Sequence, residues 1–231
     1  MGQGGIAMDI LLTNDDGISS RGLSLLAEWA DTRGRVAAAA PAKEQSAKSQ
    51  SLNIRTRYSI REVPFLPGIP AFSVDSTPAD CVLTASNTLG LSFDIVFSGI
   101  NRGYNLGWDI AYSGTCGAIF EAGQLGIPAV AFSTTSETFG GAYDHLDEVW
   151  DFIQSHSLLK KSLLWNVNFP SRPEGIRLTY QAGPSLPPTF FEDTDGRIIS
   201  DREAVSKGFI SVTPLTLART DFGALLSAGK G

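Results

Sequence analysis

Two adjacent aspartates, Asp15 and Asp16, stand between Asn14 and Gly17 directly after a short apolar run, Met8-Asp9-Ile10-Leu11-Leu12-Thr13. Neighbouring carboxylates at the end of a buried strand repel each other and resist desolvation, and a divalent cation removes both costs. Two further loops offer neutral oxygen: Pro41 through Gln45-Ser46, and Gly99-Ile100-Asn101-Arg102-Gly103-Tyr104-Asn105. Asp15 and Asp16 with the Ser46 hydroxyl and the Asn101 amide oxygen form an oxygen-donor set of the kind Mg²⁺ or Mn²⁺ takes, with positions left for water and substrate. A turn followed by helix-dipole stabilisation also accounts for Asp-Asp-Gly, and loop hydrogen bonding also accounts for Asn101 and Asn105 taken singly.

A second piece of chemistry lies in Tyr112-Ser113-Gly114-Thr115-Cys116-Gly117-Ala118, rich in small residues and placed to open a helix. Free N–H groups at that first turn, with the Ser and Thr hydroxyls, make a cradle for phosphate. An ordinary Ser N-cap with close packing by Gly and Ala is the plainer account. A carboxylate-held cation beside an anion-binding helix end is what phosphoryl-transfer hydrolysis requires, because charge builds on the phosphoryl oxygens in the transition state. The pattern therefore argues for a phosphatase.

Composition narrows the partners. Eighteen Lys and Arg against 24 Asp and Glu give a net charge of −6, so the basic face that binds long nucleic acids or a membrane surface is missing. With 42% apolar residues, 24 Gly and 12 Pro, the chain is globular rather than disordered. Two Cys (Cys81, Cys116) and two His (His145, His156) are too few for a disulfide framework or a typical structural zinc site of four nitrogen and sulfur ligands, so any metal must rest mainly on oxygen. No apolar run approaches the roughly 20 residues that span a bilayer. Residues 1–7 carry no positive charge and read as an unstructured extension rather than a signal peptide, which makes a cytoplasmic location the expectation.

The elements that must position these residues alternate. The pattern predicts a strand over Met8–Thr13, a helix capped by Ser19 or Ser20 and stopped by Gly34, and a strand from Arg35 to Ala40. Extended pieces follow around residues 51–60 and 71–74, then a helix from Pro78 to about Leu89 and a strand from Asp94 to Ser98. Loop 99–112 leads into a helix over Ser113–Leu125, a strand over Ala129–Ser133, a helix around Leu146, Val149, Trp150 and Ile153, and a strand over Leu163–Phe169. Hairpin-like pieces are expected near Ile176–Tyr180 and Phe209–Pro214. This is an α/β chain: a Rossmann-like, open, mostly parallel sheet with helices on both faces, plus a C-terminal hairpin and helix extension. We expect one domain over 8–231, with the core and metal site in 8–135 and the last core elements and an oligomerisation part in 136–231.

Five blocks in order carry a family likeness: Ile10 through Ile18, Ala40-Pro41 through Gln45-Ser46, Thr77-Pro78-Ala79-Asp80-Cys81-Val82, Ser98 through Gly107, and Tyr112-Ser113-Gly114-Thr115. Weaker echoes lie at Asn166-Val167-Asn168-Phe169-Pro170 and Ser211-Val212-Thr213-Pro214-Leu215. Together they resemble the survival protein E (SurE) family. The resemblance implies a metal-dependent 5′-nucleotidase, a phosphoric monoester hydrolase acting on nucleoside 5′-monophosphates, with a C-terminal part that exchanges elements in a homodimer or homotetramer. By motif position the metal ligands fall on Asp15, Asp16, Ser46 and Asn101, and the phosphate loop on Ser113, Gly114 and Thr115. Asn14, Gly99 and Asn105 complete the substrate side. Asp15 takes the role of catalytic carboxylate, as base or nucleophile, with Asn101 beside it.

Two departures bear on the site. The family usually has Gly after the metal-ligand Ser, and Ala47 stands there; the common Ser-Leu-Thr is Ser51-Leu52-Asn53. If position 47 requires positive φ, Ala strains the loop. A metal- and nucleotide-binding module without turnover is therefore the alternative reading. Haloacid-dehalogenase chemistry fails because Asn14 occupies the nucleophile position, and a response-regulator receiver is about half as long and needs a further phosphoacceptor Asp. The two His read as solvated rather than as part of a Ser/His/Asp site. Cys116, near a helix start, reads as packing.

Overall fold

The computed structural model describes residues 8–183 and 198–218. The expected extension at 1–7 lies outside the described residues. In chain order the elements are β1 (Met8–Thr13), α1 (Arg21–Ala30), β2 (Gly34–Pro41), β3 (Ile60–Glu62), β4 (Ala71–Val74), α2 (Pro78–Leu83), β5 (Ile95–Arg102), α3 (Gly114–Gln124), β6 (Ala129–Thr134), α4 (Gly140–Tyr143), α5 (Leu146–Ser155), α6 (Leu158–Lys161), β7 (Leu164–Phe169), β8 (Ile176–Tyr180), β9 (Ile199–Ser200), α7 (Asp201–Ser206) and β10 (Ile210–Leu215). A π-helical turn, Thr84–Thr88, prolongs α2, and a 3₁₀ helix, Gly107–Ala111, precedes α3.

The strands form one ten-stranded sheet in the order β3-β4-β2-β1-β5-β6-β7-β10-β8-β9. Most neighbours are parallel; β3 with β4 and β7 with β10 are antiparallel. The fold is thus the α/β open sheet that the alternation predicts. One expectation changes: β8 and β10 are not a hairpin but parallel neighbours, with Ile210 opposite Ile176. The chain between them carries α7, and a crossover of that kind returns a strand in the same direction.

The central strands are buried on both faces, which is why their sequences are nearly continuous apolar runs. Ile10 and Leu12 of β1 face a core with α1 and α5, while Leu11 faces the opposite core with α2 and α3. The first core is organised around rings: Phe97 lies 5.4 Å from Trp29, 5.7 Å from Phe132 and 5.4 Å from Trp150, centroid to centroid. β5 carries a bulge between Ser98 and Asn101, where its pairing with β6 shifts register. A bulge of that kind interrupts the ladder and bends the strand locally. Among the described residues no helix is long and apolar enough to cross a membrane.

Phe97 is completely buried at the centre of this ring cluster. Phe97→Ala is expected to cost about 3–5 kcal/mol, read as a lower denaturant midpoint with an unchanged slope.

Candidate active site

β1 and β5 are hydrogen-bonded neighbours at which the order of the sheet reverses: β2 and β4 extend it to one side of β1, and β5, β6 and β7 to the other. Loops leaving the carboxyl ends of such strands diverge and open a crevice. The loop after β1 holds Asn14, Asp15 and Asp16. Asn14 is buried and ties the turn itself: its amide nitrogen donates to the Gly17 carbonyl (3.1 Å) and to Ser20 Oγ (2.6 Å), and its oxygen accepts the Gly17 N–H (3.2 Å). Its side chain thereby shapes the turn that presents the two aspartates.

Asp15 is buried against the start of α3. Thr115 Oγ1 donates to Asp15 Oδ1 at 2.6 Å, and the Asp15 main-chain carbonyl accepts the Gln45 N–H at 2.7 Å. The approach is so close that a Cβ at Gly114 would lie 2.9 Å from Asp15 Cβ and 3.2 Å from the Gln45 carbonyl. Burial pushes the Asp15 carboxyl up, against the pull of the Thr115 hydroxyl and N–H. Asp16 beside it is pushed up to about 6, first by burial and then by repulsion from Asp15, with the Arg102 N–H working in the other direction. Among the described residues no Lys or Arg forms an ion pair with either aspartate.

The remaining candidates lie on the loops and strand ends named above. Asn101 is the penultimate residue of β5; its amide nitrogen donates to the Gly103 carbonyl (2.8 Å), and its Oδ1 has no hydrogen-bond partner among the described residues. Ser46 is exposed, and its hydroxyl donates to Glu44 Oε1 at 2.6 Å, while the Glu44 charge raises both aspartates. Ala47 has φ 57° and Ser49 φ 54°, so this loop does adopt the left-handed backbone that glycine suits. Gly99, at φ 138°, lies in the β5 bulge as a backbone element. Ser113 caps α3 by accepting the Cys116 N–H at 3.0 Å, and Gly114 opens the helix.

Asn105 is held in an amide network that the motifs alone do not reveal. Its N–H donates to Asn168 Oδ1 (2.8 Å), its carbonyl accepts from the amides of Asn166 (2.8 Å) and Asn168 (3.1 Å), and its own amide donates to Ser133 Oγ (2.8 Å). Two asparagines on the same face of an otherwise apolar strand were the available signal. Cys116 is fully buried and its thiol is pushed up to about 12 by burial, so it is packing and not a nucleophile. His145 and His156 bracket α5, as caps of a helix on the outside of the sheet.

Comparison with known proteins decides the family. Residues 10–185 match the family described as Survival protein SurE. The chain belongs to the SurE family. A protein of Geotalea uraniireducens named 5′-nucleotidase SurE is 40% identical over 245 residues, covering 94% of this chain and 96% of its own. One of Pseudothermotoga lettingae with the same name is 34% identical over 240 residues, covering 95% and 93%. The crystal structure of the SurE protein from Aquifex aeolicus superposes with a TM-score of 0.79 at 30% identity, over 96% of this chain and 98% of that one.

Among the described residues no group of three or more His, Cys, Asp or Glu is arranged to hold a metal. The SurE candidate set is instead two carboxylates with neutral oxygens, and it suits a hard divalent cation: burial raises both acids, the Asp15 charge raises Asp16 further, Arg102 only partly opposes this at Asp16, and neither acid forms an ion pair among the described residues. Left-handed backbone at Ala47 gives a direct test of the loop. Ala47→Gly should raise stability by roughly 0.5–1 kcal/mol, seen as a higher denaturant midpoint.

Proposed function

We propose that this chain is a divalent-metal-dependent phosphomonoesterase that hydrolyses nucleoside 5′-monophosphates to nucleoside and inorganic phosphate. The carrying observation is the Asp15 carboxylate set against the N-terminal turn of α3, bonded by Thr115, with Asp16 beside it pushed up to about 6. Asp15, Asp16, Ser46 and Asn101 would hold Mg²⁺ or Mn²⁺. When bound, that cation supplies Lewis-acid charge for the phosphoryl oxygens and relieves the repulsion between the carboxylates.

The chain's own residues do the rest. The Ser113 hydroxyl and the Gly114 N–H, at the first turn of α3, would meet the phosphate oxygens, where the helix end favours negative charge, while Thr115 donates its hydroxyl to Asp15 and so fixes that carboxylate beside the phosphate. Asn105, its backbone fixed by Asn166 and Asn168, keeps the preceding loop in place beside this turn. Asn14 and Gly99 set the backbone of the two loops that frame the substrate. Asp15 serves as the base: it takes a proton from the attacking water as the new P–O bond forms, the bond from phosphorus to the 5′ oxygen breaks, and the proton passes to the leaving alkoxide. Burial, which raises this carboxyl, suits it to hold that proton.

Names of relatives support the same substrate class, since proteins 34% and 40% identical over nearly the whole chain are called 5′-nucleotidases. A nucleotide-binding module without turnover is the second reading, favoured by the left-handed φ of Ala47 in the loop that bears Ser46. The reading further takes the protein as cytoplasmic and as a homodimer or homotetramer, with no stable nucleic-acid complex.

Phosphate release from a nucleoside 5′-monophosphate, with and without Mn²⁺ or Mg²⁺, separates enzyme from module: release only with metal is expected, and binding without release would establish the second reading. Asp15→Asn should keep the fold by circular dichroism and lower turnover by at least about 10³-fold. Saturating Mn²⁺, at about 100 times its Kd, should stabilise the wild type by about 2.7 kcal/mol, and Asp16→Asn should remove most of that gain in a thermal melt.

A further inference from the structure

The 3₁₀ helix that feeds Ser113 is held from the far end of the chain. The Gly107 N–H donates to Asp201 Oδ2 at 2.8 Å across a separation of 94 residues. The other oxygen of Asp201 accepts the N–H groups of Ala182 (2.9 Å) and Arg202 (2.8 Å). Arg202 reaches the same turn, donating to the Leu106 carbonyl (3.2 Å) and Asp109 Oδ2 (3.1 Å), and the Gln181 amide donates to the Gly107 carbonyl (2.7 Å). Gly107 sits at φ 56°, and a Cβ there would fall 2.9 Å from the Ala182 carbonyl, so the clamp closes only on glycine.

Asp201 is completely buried, although α7 does not need it as a cap: Ser200 already accepts the Glu203 N–H at 3.2 Å. Burying a carboxylate is costly unless its hydrogen bonds are complete, and here they come from three separate segments. The turn they hold passes its placement onward. The Asp109 carbonyl accepts the N–H groups of Tyr112 (3.0 Å) and Ser113 (3.1 Å), and Ser113 in turn caps α3.

We infer that Asp201 is a positioning residue for the phosphate-binding end of α3, acting through Gly107 and Asp109 to set Ser113 and Gly114 opposite Asp15. This rests on the reading above, that the first turn of α3 receives the phosphoryl group. It extends the site by a residue that touches neither metal nor substrate, contributed by the C-terminal third of the chain.

The test compares two ligands on one protein. Asp201→Asn keeps an oxygen for Ala182 and Arg202 but presents an amide N–H₂ to the Gly107 N–H. Inorganic phosphate binding, measured by calorimetry in the presence of Mn²⁺, should weaken at least tenfold, and kcat/KM for the nucleotide should fall in step. Mn²⁺ affinity should stay within twofold of wild type, a split that general loosening of the fold would not give. Should Asp201→Asn fail to fold by circular dichroism, Arg202→Met breaks the exposed arm of the clamp and is expected to weaken phosphate at least threefold with Mn²⁺ unchanged. Wild-type phosphate affinity in whichever variant folds, or parallel losses of phosphate and Mn²⁺, overturns the inference. Wild-type protein that neither binds phosphate nor releases it from the nucleotide overturns the functional reading itself, before any variant is compared.

Discussion

The architecture turns on one buried carboxylate lodged against the start of a helix. Asp15 is out of solvent, and what steadies it is a threonine hydroxyl and the positive end of α3 rather than a lysine or arginine. That arrangement requires an apolar strand buried on both faces to deliver the residue, a glycine at 114 to let the helix approach, and the 41–50 loop closing from the side through the Gln45 N–H. It also leaves the neighbourhood short of positive charge. Glu44 raises both carboxyls and Asp15 raises Asp16 further, while Arg102 opposes part of this at Asp16.

Stability and chemistry therefore pull in different directions within a few residues. The core of Phe97, Trp29, Phe132 and Trp150 is dry and interlocked. At the carboxyl edge of the same sheet lie two unreconciled acids, left-handed backbone at Ala47 and Ser49, and a serine whose hydroxyl is taken by Glu44. Such locally unfavourable features persist because the scaffold over-determines them, and they gather where ligands bind.

What the sequence made legible follows from how locally each feature is determined. β1 could be read because a continuous apolar run ends abruptly in Asn-Asp-Asp-Gly, and the start of α3 because Ser113 has the spacing of a cap. The last four residues of β5 could not: the bulge and the left-handed Gly99 interrupt the alternation that marks a strand. The relation of β8 to β10 escaped for another reason, since strand direction depends on the intervening crossover and not on either segment's own pattern. Asn166 and Asn168 stood out only as a weak family echo, because their partner is a backbone about sixty residues earlier. Asp201 belongs to no motif, and only the tertiary fold shows where its oxygens go.

The reach of that last contact also bears on the order in which the protein matures. Catalytic candidates cluster within the first half of the chain, so a nascent polypeptide exposes them early. The turn leading into α3 acquires its carboxylate anchor only once residue 201 has been made and folded back across 94 positions. Contacts of such long sequence separation form late, because loop-closure entropy must be overcome first. A growing chain thus carries its two aspartates before the turn that leads into α3 has its anchor at residue 201.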